Sequence, residues 1–172
     1  MKLISSKPTI DVCIATYRRA DRLRRLLESL LSQQTQRLFS YSLIVVDNDA
    51  CRSAEPVVEK FLGMGPDLVY DVEPERNISL ARNRCLTHAT GDYIAMIDDD
   101  EYADGRWLLN LYTTMMAYEA DVVRGPVVWT TSGNLAQIPK NLTLSTKTMC
   151  SHLMIHLEIR LFTVPVRQPW RN

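Results

Sequence analysis

Four short β-branched, apolar runs, each followed by a stretch of helical character, limit what this chain can fold into. Thr9–Thr16 is entered through Pro8 and reads as a first strand. After it, Leu23, Leu26, Leu27, Leu30 and Leu31 fall on one helical stripe. Asp21 is the expected cap, and Arg22, Arg25 and Ser29 lie outside the stripe. Residues 42–46 read as a second strand, 55–62 as a helix stopped by Gly63, and 67–72 as a third strand. Residues 79–89 place Ala81, Cys85 and Ala89 four apart on a helix that ends before Gly91. Residues 93–97 read as the fourth strand, and 107–118 as a helix through Leu108, Leu111, Tyr112 and Met115. Residues 121–123 and 127–129 close the pattern. Strands alternating with helices predict an α/β fold, a doubly wound and mostly parallel sheet with helices on both faces.

Such sheets bind ligands beyond the carboxyl ends of their strands. Three polar clusters fall there: Thr16-Tyr17-Arg18, Asp47-Asn48-Asp49 and Asp98-Asp99-Asp100-Glu101. The last is the most demanding. Four consecutive carboxylates after an apolar strand repel one another unless a cation stands among them, and an all-oxygen set suits Mg²⁺ or Mn²⁺. A solvated acidic turn is the competing reading. Together the clusters suit a ligand with a heterocycle, hydroxyls and phosphates. Tyr17 can stack on a base, Thr16 and Asp47 can hydrogen-bond a base or ribose, and Asp98 and Asp100 can hold a diphosphate's metal. Asp49 and Asn48 serve equally well as turn formers. Neither GxxxxGK[ST] nor GxGxxG occurs, so phosphate charge falls to the metal, helped by Arg76 or Arg82.

Composition narrows the setting. The 172 residues carry no net charge, which argues against nucleic acid as a partner. All but one of the 20 acids lie at or before Asp121, the exception being Glu158. Cys13, Cys51, Cys85 and Cys150 form no CxxC pair, which fits a reducing compartment and disfavours zinc. With no signal-like or membrane-spanning apolar stretch, a cytoplasmic location is expected. Residues 153–166 are the segment that would touch the inner face of a membrane.

The segment 10–125 resembles the donor-binding half of glycosyltransferase family 2, inverting enzymes of the GT-A (Rossmann-like) fold. The matching pieces are IDVCIATYRRADRLRRLLESLLSQ, LIVVDND, ERNISLARNRCLTHATGDYIAMIDDDEYADGRWL and DVVRGPV. The resemblance implies a nucleotide-diphospho-sugar donor, most often a UDP-sugar, and a glycan or lipid-linked acceptor. It places Thr16, Tyr17, Asp47, Asp49, Arg82, Asp98 and Asp99 on the nucleotide-sugar. Asp98-Asp99-Asp100 corresponds to the family's DxD element, with Asp100 on the metal. The tone of the match is that of bacterial enzymes of exopolysaccharide or other surface-glycan synthesis.

Past Trp129 the resemblance stops. An inverting transferase deprotonates its acceptor with a carboxylate from the acceptor half. Here Glu158, in an alternating segment 156–163 beside Arg160, is the one carboxylate in that stretch. The chain therefore reads as a donor-binding domain at 8–129 and a divergent tail at 130–172 with the acceptor half incomplete. Two readings stay open: a sugar-transferring enzyme, or a catalytically incomplete nucleotide-sugar-binding module or truncated fragment. A sugar-1-phosphate nucleotidyltransferase fits less well, because no glycine follows the first strand before Ala20.

Overall fold

The computed structural model describes residues 7–125. The expected strands at 127–129 and 156–163, the polar stretch 130–141 and Glu158 lie outside the described residues. The elements run β1 (Thr9–Thr16), α1 (Ala20–Leu30), β2 (Ser40–Asp47), α2 (Glu55–Val58), β3 (Leu68–Val72), α3 (Ile78–His88), β4 (Tyr93–Met96) and α4 (Trp107–Tyr118). A single 3₁₀ turn, Glu59–Phe61, extends α2. The chain then turns away at Gly63, whose φ of +75° is a left-handed conformation that suits glycine.

All four strands are parallel, in the order β3-β2-β1-β4. The register pairs Thr16 with Asp47, Asp47 with Val72, and Cys13 with Met96. The chain winds outward from β1 to β3 and then returns to the other side of β1. Strand order therefore reverses between β1 and β4, the place where open α/β sheets present a crevice at their carboxyl ends.

Both faces of the sheet are covered, as the alternation predicts. On one face Leu23, Leu26, Leu27 and Leu30 of α1 pack with Val58, Leu108, Leu109 and Met115 against Val12, Ile14, Leu43 and Val45. Each fully buried leucine there contributes about 2 kcal/mol of transfer free energy. On the other face α3 buries Ala81 and Cys85 against Cys13, Ile44 and Val46. Small residues every fourth position let the helix lie close to the strands. At the far, amino end of the sheet, buried Asp11 accepts the N–H groups of Thr90 (2.7 Å) and Gly91 (2.6 Å). A side chain at position 91 would collide with the Thr9 carbonyl at 2.8 Å, so glycine is required by close approach.

Three local expectations change. Asp21 does not cap α1; the helix starts at Ala20 with Arg19 in the cap position and no side-chain cap, and Asp21 stands exposed in the first turn. Ser29 is buried rather than peripheral, because its hydroxyl is used: it donates to the Leu26 carbonyl (2.7 Å) and accepts the Ala103 N–H (3.1 Å). Residues 121–123 take no strand conformation.

Candidate functional site

The cleft lies over the carboxyl ends of β1 and β4 and encloses about 500 Å³. Its floor begins at Thr16, whose buried hydroxyl donates to Asp99 Oδ2 at 2.8 Å and so ties the end of β1 to the loop after β4. Tyr17 follows, half-buried, as one wall. The Arg76 guanidinium stands 4.6 Å from its ring centroid and that of Arg18 5.2 Å, both within cation–π range. Arg18 has a φ of +53°, an uncommon left-handed conformation for a side-chain-bearing residue. It is held there by a forked contact to Asp49, Nε to Oδ2 at 2.8 Å and Nη2 to Oδ1 at 3.3 Å.

The same cleft is lined by the three aspartates after β4, each matched to a guanidinium. Arg82 of α3 donates to Asp98 at 2.9 Å. Arg19 reaches both Asp99 (3.0 Å) and Asp100 (3.2 Å), and Arg22 also reaches Asp100 (3.0 Å). Among the described residues no three His, Cys, Asp or Glu side chains converge as a metal-binding set. The repulsion expected of this run is thus offset by arginines, a partner the spacing alone did not reveal. Glu101 is turned back: it accepts the Asp98 N–H at 3.3 Å. Burial pushes its carboxyl up to about 7, and the nearby charges of Asp98 and Asp100 act in the same direction.

Six of the eight predicted residues line the cleft: Thr16, Tyr17, Arg82, Asp98, Asp99 and Asp100. Asp47 and Asp49 stand behind the lining. Asp47 is fully buried; its Oδ2 accepts the Ala54 N–H (2.6 Å) and the Tyr70 hydroxyl (3.2 Å), and its Oδ1 the Asp49 N–H (3.1 Å). Burial raises the Asp47 carboxyl and the three donors work against that rise. Asp49 does the reverse, held at about 2 by Arg18 and the Cys51 N–H.

Sequence reasoning passed over two polar cleft residues, Asn77 and Arg19, and left Asn48 divided between ligand contact and turn formation. Asn48 lines the cleft in place of its acidic neighbours. Its amide donates to the carbonyls of Glu73 and Glu75, which fixes the loop carrying Arg76. Asn77 caps α3 by accepting the Ser79 N–H at 2.9 Å; an asparagine directly before a helix-forming run is a readable cap signal. Arg19 gave no such signal, because its partners are 80 and 81 residues away.

A fixed second layer holds the acidic loop. Buried Gln33, just beyond α1, donates to the Asp104 carbonyl (2.8 Å) and accepts the Leu108 N–H (3.1 Å), so it caps α4 from outside. Together with Ser29 it anchors residues 103–108 immediately after the aspartates. Trp107 packs against the core rather than into the cleft.

The chain is thus an α/β protein whose parallel sheet carries an aromatic side chain, acids and guanidiniums in a cleft at its topological switch point, and its structural neighbours share the GT-A fold. The model of the family described as Glycosyl transferase family 2 matches residues 11–161, and the chain belongs to that family. The succinoglycan biosynthesis protein ExoM of Rhizobium meliloti (strain 1021) is 41% identical over 122 residues, which are 69% of this chain and 38% of ExoM. Among solved structures, residues 1–349 of S. aureus TarS in complex with UDP align with a TM-score of 0.59 at 23% identity, over 71% of this chain and 38% of that one. The mannosyltransferase PcManGT from Pyrobaculum calidifontis, in complex with GDP-Man and Mn²⁺, aligns with a TM-score of 0.51 at 24% identity, over 61% and 31%. The chain thus spans well under half the length of these relatives. Among the described residues no helix is long and apolar enough to cross a membrane.

Proposed function

We propose that this chain binds a nucleotide-diphospho-sugar, a UDP-sugar by preference, and provides the donor side of sugar transfer to an acceptor hydroxyl. The acceptor is a glycan or lipid-linked sugar at the cytoplasmic face of a membrane, in surface or exopolysaccharide synthesis. The observation that carries this reading is that Tyr17 lines the same cleft as Asp98, Asp99 and Asp100, an aromatic ring and carboxylates in one site. The relative ExoM, named for succinoglycan biosynthesis, supports the polysaccharide role, and the UDP of the TarS complex supports the donor.

Residues 8–129 are assigned to donor binding. Tyr17 flanks the base, with Thr16 fixing the strand end beneath it. Asn48, the member of its loop that lines the cleft, is assigned to the nucleotide with Asp47 and Asp49 behind it. Arg82 and Asp98 face the sugar and diphosphate.

The donor set also fits Mg²⁺ or Mn²⁺. Asp98 and Asp100 are the exposed members of the triplet, with side chains 50% and 39% accessible. Hard cations of this kind are commonly held by one or two carboxylates together with substrate phosphates and water. Asp100 would be the principal ligand, with Asp98 beside it, and the ion would supply Lewis-acid stabilisation of the departing diphosphate.

Isothermal titration with UDP, with and without Mn²⁺, tests the reading. Metal-dependent binding is expected; its absence would remove the donor assignment. Sugar transfer by the Asp100→Ala variant separates the two classes of activity. A transferring enzyme loses turnover outright, whereas a binding module only loses nucleotide affinity.

A further inference from the structure

Arg19 and Arg22 are placed against the usual electrostatic preference of a helix. Both lie at the amino end of α1, where the helix dipole is already positive and acids are favoured. Arg19 occupies the cap position, and no side chain caps the helix. The two guanidiniums are instead satisfied by carboxylates from the loop after β4: Arg19 by Asp99 and Asp100, Arg22 by Asp100 alone. Their own side chains remain about half exposed, at 50% and 57%. Asp100 Oδ2 therefore carries two guanidiniums at once, 3.2 and 3.0 Å away, on the residue best placed to hold a cation.

A second cation at Asp100 must compete with these two. Guanidinium and a divalent ion both neutralise the carboxylate, and both cannot keep full contact with the same oxygen. Arg19 lines the cleft and Arg22 stands beside it on Asp100, so an arginine released from Asp100 remains within reach of a ligand there. Its planar fork then suits the nearest available polyanion, since guanidinium pairs with phosphate as readily as with carboxylate.

We propose that Arg19 and Arg22 are exchangeable ligands of this cleft: they neutralise Asp100 in the free protein and transfer to the diphosphate of a nucleoside diphosphate when a divalent cation takes their place. The inference rests on the donor-site reading above and adds a role for two residues. It requires no covalent step. Arg19 also keeps its contact to buried Asp99, so Arg22, with Asp100 as its partner, is the more mobile of the two. The exchange predicts opposite effects of one substitution on two ligands, which a plain surface ion pair would not produce.

Arg22→Ala in the full 172-residue chain provides the test, because Arg22 is exposed and its loss leaves the core intact. Calorimetry reads Mn²⁺ alone, and UDP at saturating Mn²⁺. Relative to the native chain, the variant should bind Mn²⁺ about 3–10-fold more tightly, because one competitor is gone, and UDP about 3–10-fold more weakly, because one phosphate donor is gone. Arg22→Lys should fall between, and an unchanged melting temperature shows that both variants fold. Unchanged UDP affinity, unchanged Mn²⁺ affinity, or a fall in both would each overturn the exchange. If the native chain binds neither ligand, the donor-site reading falls with it. If the native chain binds both while Arg22→Ala alters neither, only the exchange is lost.

Discussion

The loops after β2 and β4 present the same chemistry in sequence, Asp-Asn-Asp and Asp-Asp-Asp at strand ends, yet the folded protein uses them in opposite ways. After β2 the carboxylates are turned inward. Asp47 has no exposed surface, and its oxygens accept two backbone N–H groups and a tyrosine hydroxyl. After β4 the carboxylates Asp98 and Asp100 stay in the cleft and are met by arginines that are themselves half exposed. The backbone donors around Asp47 cannot move away, so that part of the first loop is a closed structural unit, while Asp49 beside it is held by the exposed Arg18. Long, solvated guanidiniums can move, so the second is open to exchange. An acidic cluster is thus defined less by its residues than by whether its partners can leave.

Substitutions should separate the two loops cleanly. The largest effect is expected for Asp47→Ala, which strands buried donors and should cost about 3 kcal/mol in chemical denaturation. A loss below ~1 kcal/mol would mean that the β2 loop is as open as the other. Gln33→Ala removes the outer cap of α4 and the tie to the Asp104 carbonyl, and should cost about 2 kcal/mol. It should also weaken UDP binding, since the acidic loop loses its anchor. Next comes Asp100→Ala. At an exposed ion pair it should change stability by less than about 0.5 kcal/mol while lowering Mn²⁺-dependent UDP affinity at least about tenfold. Large destabilisation with intact binding would reverse the comparison.

The smallest effect concerns acid. Asp71 on β3 is partly buried, which alone would raise its carboxyl. Contacts from His88 (2.7 Å) and Arg84 (2.6 Å) prevail and hold it at about 2, below the ordinary 3.8. Because the folded state binds the proton more weakly than the unfolded chain, this carboxylate's contribution is complete above the ordinary value and disappears as pH falls through about 2. Asp71→Asn should therefore flatten the loss of stability between pH 5 and 2, measured as urea midpoints. Parallel curves for the two proteins would show that the α3–β3 contact adds nothing.

Much of the fold is legible from local pattern. The Leu23–Leu30 stripe and the β-branched run at Thr9–Thr16 mark their elements because periodicity and side-chain shape act within a few residues. Helix α4 emerges with the bounds that its apolar spacing predicts. Ser29 differs from its sequence reading because a serine off the apolar stripe looks solvated until its partner, the Ala103 N–H, is known. Asp21 reads as a cap because short polar residues often are, while the cap position falls two residues earlier, at Arg19. In the cleft, the aspartates and Tyr17 stand out by residue type and position. Arg19 does not, since arginine is ordinary in any loop, and Asn48 reads equally well as a turn former.

The sequence by itself determined the alternation of strands and helices, the membership of the family, and the placing of polar clusters at the strands' carboxyl ends. Those follow from side-chain chemistry acting locally and from motif order along the chain. Tertiary structure decided which clusters share a cleft. Only the order β3-β2-β1-β4 sets Thr16 against Asp99, a hydrogen bond spanning 83 positions, and seats the β2 loop between the end of β1 and the loop after β3. The physical reason is that parallel strands gain neighbours through long crossovers, and the sheet's packing, rather than any local signal, selects which edges meet.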